Sequence, residues 1–305
     1  MNFTDSQSTS APTSQQIKKI LVPVDYSECS NDASKYAIKI ACKLGAEIKF
    51  FHTYYSPAFD LIELAGAVQT QSQLRDEVTV NLEESEKATM ESFMTGLKEY
   101  IVNCNLPALN LSYDILPGVP EDEIIQFSEG YGPDLVIMGT KGKGKGVGSI
   151  MGSVTAAVIN RIKFPLLAIP EKYTFIGEEN IKNLLYVTDF DESDFATLKS
   201  LMSFTDQLGL EIQCVHIGDD PKAWDKVKME GLMAYFNKAY GKTQVTYSFI
   251  SQKNLLDDLD QLIRDKSINI LSLTRQRQSI VDKLFKPNIT KKLFYHTGIP
   301  LLVFH

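Results

Sequence analysis

Four cysteines in 305 residues, Cys29, Cys42, Cys104 and Cys214, form no CxxC pair. That excludes a disulfide framework or a zinc-ligand motif as the organising feature. Basic residues are in deficit, 31 Lys and Arg against 38 Asp and Glu, and the net charge of −7 argues against a nucleic-acid partner. No apolar run approaches the roughly 18 residues of a membrane-spanning helix, so no membrane association is expected. Residues 1–16, MNFTDSQSTSAPTSQQ, lack the basic and apolar regions of a secretory signal and read as a disordered tail. There is no HExxH, no Ser–His–Asp set and no clustered carboxylate pair. The expected location is the cytoplasm.

What the chain does have is a glycine-rich stretch, GTKGKGKGVGSIMGSVT (139–155). It follows the apolar run Asp134–Met138, which reads as a buried parallel strand. It leads into Val154, Ala157, Val158 and Ile162, spaced as one face of a helix. Glycines at a strand–helix junction let the backbone approach a ligand, and a helix N-terminus favours negative charge. The alternative is a plain surface loop. Gly139 and Gly144-Lys145 have Walker A spacing, but Gly146 stands where the magnesium-binding Ser or Thr belongs. A dinucleotide GxGxxG fails as well, because its third glycine would fall at Val147 or Ser149. The spacing that holds is Gly139-x2-Gly142-x9-Gly152-Ser153.

In chain order, Ile20–Asp25 reads as a strand ending in an acid. Ser27, Ser30 and Asn31 are capping residues ahead of a helical stripe through Ala33, Tyr36, Ala37, Ile40, Ala41 and Leu44, closed by Gly45. Ala46–Thr53 is a second strand. A loose apolar stretch and a long acidic helix over Val78–Ile101 follow. Leu109–Ile115 is a third strand, Glu121–Gly130 a short helix, and FPLLAI (164–169) a fifth strand whose Pro165 suggests an edge. The second half then repeats the first. IKKILVPVDYS (17–27) returns as IKNLLYVTDFD (181–191) and GAEIKFFH (45–52) as GLEIQCVH (209–216), both at an offset of 164. DLVIMGTKG (134–142) returns as NILSLTRQR (269–277) and FPLLAI as IPLLVF (299–304), both at 135. The second copy is thus 29 residues shorter between its second and third strands. Two α/β domains follow, 17–171 and 178–305, joined by a short link through Ile176-Gly177.

The glycine spacing, with the strand-end Asp25, resembles the nucleotide-binding signature of ATP-binding universal stress proteins, and the repeat extends the resemblance over nearly the whole chain as a tandem. The resemblance implies two Rossmann-like domains of the adenine nucleotide α hydrolase-like type. Each is a five-stranded parallel sheet of order 3-2-1-4-5 with helices on both faces. The domains are implied to pair within the chain through their fifth strands, and a further homodimer is compatible with this. For the first domain it implies an ATP site. Asp25 lies near the adenosine and Thr53 stands where the family commonly has Val against adenine. Met138 and Gly139 lie at the base–ribose end, and Gly142, Gly152, Ser153 and Val154 touch the phosphates. Asp25 and Ser153 each also read as helix caps. Lys141, Lys143 and Lys145 suit a triphosphate or are simply solvated. Any magnesium would ride on the phosphates, since Gly146 offers no hydroxyl.

The second copy does not keep the signature. Gly139, Gly142, Gly152 and Ser153 become Thr274, Arg277, Pro287 and Asn288, although Asp189 is retained. Arg275, Arg277, Lys283 and Lys286 hold an anion there or are solvated. His216-Ile217-Gly218-Asp219 is one residue short of the HIGH motif of adenylate-forming enzymes and follows a second strand, where that motif does not belong. His52 and His216 stand at equivalent strand ends and read as a shared packing device. The expected function is a nucleotide-responsive regulatory or stress-protective module that binds ATP in its first domain and is not primarily an enzyme. A weak ATPase or phosphotransfer protein, and a scaffold that binds nothing, are the alternatives.

Overall fold

The computed structural model describes residues 16–56, 72–142, 151–171, 173, 181–188, 192–217, 226–231, 233–234, 245–251, 253–275 and 298–305. The first half contains β1 (Lys19–Pro23), α1 (Glu28–Leu44), β2 (Glu47–Tyr54), α2 (Ser72–Asn103), β3 (Leu111–Pro117), α3 (Pro120–Tyr131), β4 (Leu135–Gly139), α4 (Ser153–Arg161) and β5 (Leu166–Ile169). The second contains β6 (Asn183–Thr188), α5 (Glu192–Leu208), β7 (Glu211–Ile217), β8 (Val245–Ile250), α6 (Leu255–Asp265), β9 (Ile270–Thr274) and β10 (Leu301–Phe304).

The helices form where the sequence signals them. Ser27 caps α1 by accepting from the Ser30 N–H, and Gly45 ends it in the left-handed region (φ 64°), donating to the Ala41 carbonyl. Ala33, Tyr36, Ala37, Ile40 and Ala41 form the buried stripe between them. In the longer α2, Met90, Met94, Leu97 and Ile101 face the core at helical spacing. β4, β5, β9 and β10 are buried at every position, as parallel strands covered on both faces must be.

Among the described residues, ten strands form one sheet in the order β3-β2-β1-β4-β5-β10-β9-β6-β7-β8. Each half, counted in its own strands, runs 3-2-1-4-5. Every pairing is parallel except the central one, where β10 lies antiparallel to β5 with Leu302 opposite Leu167. Each of two apolar clusters draws on both halves, so the core does not stop at this seam. Pro165, which suggested an edge, precedes β5, and β5 is an interior strand flanked by β4 and β10. The proline costs no ladder bond because its carbonyl, accepting from the Val136 N–H at 2.9 Å, is the only backbone group it must supply.

The repeat holds residue by residue in the register. Ile20 pairs with Ile48 as Leu184 pairs with Ile212, and Val136 pairs with Leu166 as Leu271 pairs with Leu301. The third strands, however, correspond at 134: Ile48 faces Leu111 and Ile212 faces Val245. Thirty residues are therefore missing ahead of β8, not 29, and one is regained before β9. Two further devices recur. Asp134 Oδ2 accepts from the Lys18 and Lys19 N–H groups, and Asn269 Oδ1 from those of Lys182 and Asn183. The Nδ1–H of His52 donates to the Val24 carbonyl at 2.7 Å, and that of His216 to the Thr188 carbonyl at 3.2 Å. Each imidazole ties the second strand of its half to the chain leaving the first, a structural task with no reacting group involved.

Candidate functional site

The first half carries a cleft of about 850 Å³ at the carboxyl ends of β1, β2 and β4. Open α/β sheets bind ligands at this edge, where the order of strands reverses between β1 and β4. Asp25, Thr53, Met138, Gly139, Gly142, Gly152, Ser153 and Val154 all line it, so the eight residues singled out by sequence share one wall system. Val24, Phe51 and Ile124 supply apolar surface; Ser27, Glu28, Cys29, Thr155 and Glu171 supply polar groups.

Asp25 stands two residues past β1. Its Oδ1 accepts from the Ser27 N–H at 3.1 Å and from the Ser27 hydroxyl at 2.6 Å. The cap of α1 is thus Ser27, not Asp25, and Asp25 fixes the cap from behind. Tyr26 between them adopts φ 61°, a conformation costly for a residue with a Cβ. The turn sends its ring away to pack against His52 and Phe93, with centroids 4.4 and 5.6 Å apart, while the Asp25 carboxylate stays beside the loop. Burial foremost, then the nearby Glu86, holds the Tyr26 phenol protonated well above its usual range. Glu86 also approaches His52 Nε2 at 3.3 Å, which brings α2 onto the strand ends.

The glycine loop is stapled at its base. The Gly152 N–H donates to the Thr140 carbonyl at 2.7 Å, and the Thr155 hydroxyl donates to the Gly139 carbonyl at 2.9 Å. Gly152 is the N-cap of α4, so Ser153, read as a plausible cap, is the first helical residue instead. Gly152 has no side chain with which to cap the helix, and the first turn, Ser153–Thr155, lines the cleft. A Cβ on Gly142 would lie 2.5 Å from Asp25 Oδ2. One on Gly139 would lie 2.8 Å from Cys29 Sγ and 3.0 Å from the Cys29 backbone, so this glycine is needed for strand–helix packing whether or not a ligand binds. Lys141 Nζ pairs with the Glu171 carboxylate. Lys143 and Lys145 lie outside the described residues, as do Asp189, Arg277, Lys283, Lys286, Pro287, Asn288 and the Ile176-Gly177 link.

Sequence reasoning missed Cys29, Glu28 and Glu171 as cleft residues. Nothing in their local pattern marks them, since they reach the site only because α1 and the end of β5 pack beside β4. Burial pushes the Cys29 thiol up from its ordinary value, outweighing hydrogen bonds from Lys141 and Thr140 that pull it down. A thiol held neutral and 3% exposed is a poor nucleophile. Iodoacetamide at neutral pH is therefore expected to label exposed Cys104 well before Cys29 or Cys214, as mass spectrometry of the alkylated peptides would report. Equal labelling of Cys29 would contradict this packing.

In the second half, Thr274 takes the place of Gly139. It is buried, and its hydroxyl is 2.8 Å from that of Tyr186, which replaces Val22. Arg275, in the place of Thr140, donates from Nη1 to the Ile159 carbonyl in the last turn of α4 at 3.2 Å.

Comparison with known proteins gives a consistent picture. The sequence profile of the universal stress protein family matches residues 16–170. Universal stress protein MJ0531 of Methanocaldococcus jannaschii is 29% identical over 152 residues, covering 50% of this chain and 81% of its own. Universal stress protein MJ0577 of the same organism is 27% identical over 162 residues, covering 51% and 96%. Over the whole length, the crystal structure of a universal stress protein from Archaeoglobus fulgidus superimposes with a TM-score of 0.64 at 18% identity, covering 95% of this chain and 96% of that one. At that identity the likeness speaks for the fold alone, and it extends through both halves.

Proposed function

This chain belongs to the universal stress protein family, and on that premise we propose that its first half binds ATP and that the protein acts as a nucleotide-responsive regulatory or stress-protective module. One observation carries the reading. Eight residues between Asp25 and Val154, drawn from the ends of three strands, a glycine loop and a helix start, line a single cleft. The cleft lining holds the mixture of groups such a ligand needs. In this reading Val24, Phe51 and Ile124 offer apolar surface to the base, Asp25 an acceptor to the ribose, and the start of α4 backbone donors to the phosphates.

Magnesium, in this reading, is carried by the phosphates. The role, in this reading, is binding, with any turnover of ATP weak. The two halves act as one body through β5 and β10, and the chain works in the cytoplasm.

If the base is read at Thr53 and Asp25, ATP stabilises the fold more than GTP does. At a hundredfold excess over Kd, linkage gives about 2.7 kcal/mol of added stability. Thermal denaturation with each nucleotide measures this. Equal shifts for ATP and GTP would remove the adenine assignment, and no shift with either would remove the nucleotide.

A further inference from the structure

We infer that Glu171 sets the phosphate affinity of the cleft by occupying Lys141 until a phosphate takes its place; this rests on the nucleotide reading above. The charge balance of the lining is the starting point. Among the described residues of the cleft, Asp25, Glu28 and Glu171 are acidic and Lys141 alone is basic. Among these described residues three carboxylates face one ammonium, and that ammonium is already paired with Glu171.

The pair is held where an exchange can happen. Glu171 follows β5, whose last carbonyl, that of Ile169, accepts from the Thr140 N–H at 2.9 Å and from the Cys29 thiol at 3.5 Å. These bonds fix the end of β5 against the base of the glycine loop, one residue before Lys141. The side chains of Lys141 and Glu171 remain 35% and 38% exposed. An ion pair this wet is weakly held. A phosphate at Gly142 and the start of α4 carries more charge than a carboxylate and also accepts from the backbone N–H groups there, so it outcompetes Glu171 for the ammonium. Glu171 thus lowers the gain from each phosphate without touching the recognition of the nucleoside.

The test is a titration of the full chain with ATP and with adenosine at low and at physiological salt, using wild type, Glu171→Gln, Lys141→Met and the double variant. Freeing Lys141 by Glu171→Gln is expected to tighten ATP binding about three- to fivefold at low salt, the scale of an exposed ion pair. The effect shrinks as salt rises. Adenosine affinity stays unchanged, and in the Lys141→Met background the Glu171 substitution has no effect. The inference is overturned if Glu171→Gln leaves ATP affinity unchanged or weaker. It is equally overturned if the same tightening persists without Lys141, which would mean direct repulsion rather than exchange. A wild-type chain that binds neither ATP nor adenosine sinks the nucleotide reading itself. ATP binding with no Glu171 effect sinks only this step.

Discussion

Replacing Gly152 by Val lowers ATP affinity at least ~100-fold and leaves the first half folded. The loss arises at the phosphate end. A Cβ at this position sits 3.7 Å from the Gly142 N and 3.6 Å from the Thr140 carbonyl oxygen, between the two arms of the loop. Those are ordinary contact distances, so the fold accommodates the first added atom. The backbone of Gly152, at φ −66° and ψ 154°, is also a conformation that valine adopts readily. The γ-methyls then occupy the space in front of Gly142 and the start of α4. Two N–H groups displaced from a phosphate, at roughly 1.5–3 kcal/mol for each bond to a charged group, account for the predicted factor. The cost to the fold is the smaller penalty of a poor N-cap residue, about 1 kcal/mol. Titration with ATP, alongside near-ultraviolet circular dichroism, separates the two effects. Full affinity in a folded Gly152→Val chain would place the phosphates elsewhere.

The intact chain is expected to bind one nucleotide, not two. In the second half Thr274 fills the position of Gly139 and is held there by Tyr186. Arg277 replaces Gly142, and Pro287, which has no N–H to give, replaces Gly152. Pro287 removes a donor outright and a side chain at Arg277 blocks the close approach that lets another N–H reach, each loss being worth roughly 1.5–3 kcal/mol when the acceptor is charged. Two or three such losses carry a micromolar site, about −8 kcal/mol, to the millimolar range or beyond. Isothermal titration of the wild-type chain is expected to give a stoichiometry near one, and the Gly152→Val chain, which silences the first half, to give no measurable heat. A wild-type stoichiometry near two, falling to one in the variant, would show that the second half binds after all.

Most of the architecture was legible because it is written in short-range periodicity. The stripe of α1 with Gly45 behind it, the apolar strands, and the internal repeat at 164 and 135 all depend on residues close in sequence, and the register preserves those offsets. The errors fell where a long-range neighbour decides. Pro165 reads as an edge signal only until β10 is known to lie beside β5. Ser27 is among the capping residues read for α1 and holds that position, whereas Asp25 and Ser153, caps by type, do not, because the capping role follows the helix start and not the nearest polar side chain. The site was legible to the extent that its residues sit in the glycine spacing or at a strand end. Glu28, Cys29 and Glu171 enter from elements whose local sequence says nothing about a ligand, and only packing brings them to the cleft. The single added residue before β9 was hidden for another reason: between matched segments an alignment by offset records only the sum of gains and losses.

The seam at β5 and β10 also changes what a mutation means. When two identical chains meet edge to edge, any substitution at the boundary enters twice, once from each side. Here Leu167 and Leu302 face each other as different positions of one polypeptide. A change at either is felt once, and its partner is free to compensate. The same covalent link keeps the two edges together at any dilution. Inequality between the halves, such as Thr274 where Gly139 stands, is open to this chain and closed to a symmetric pair.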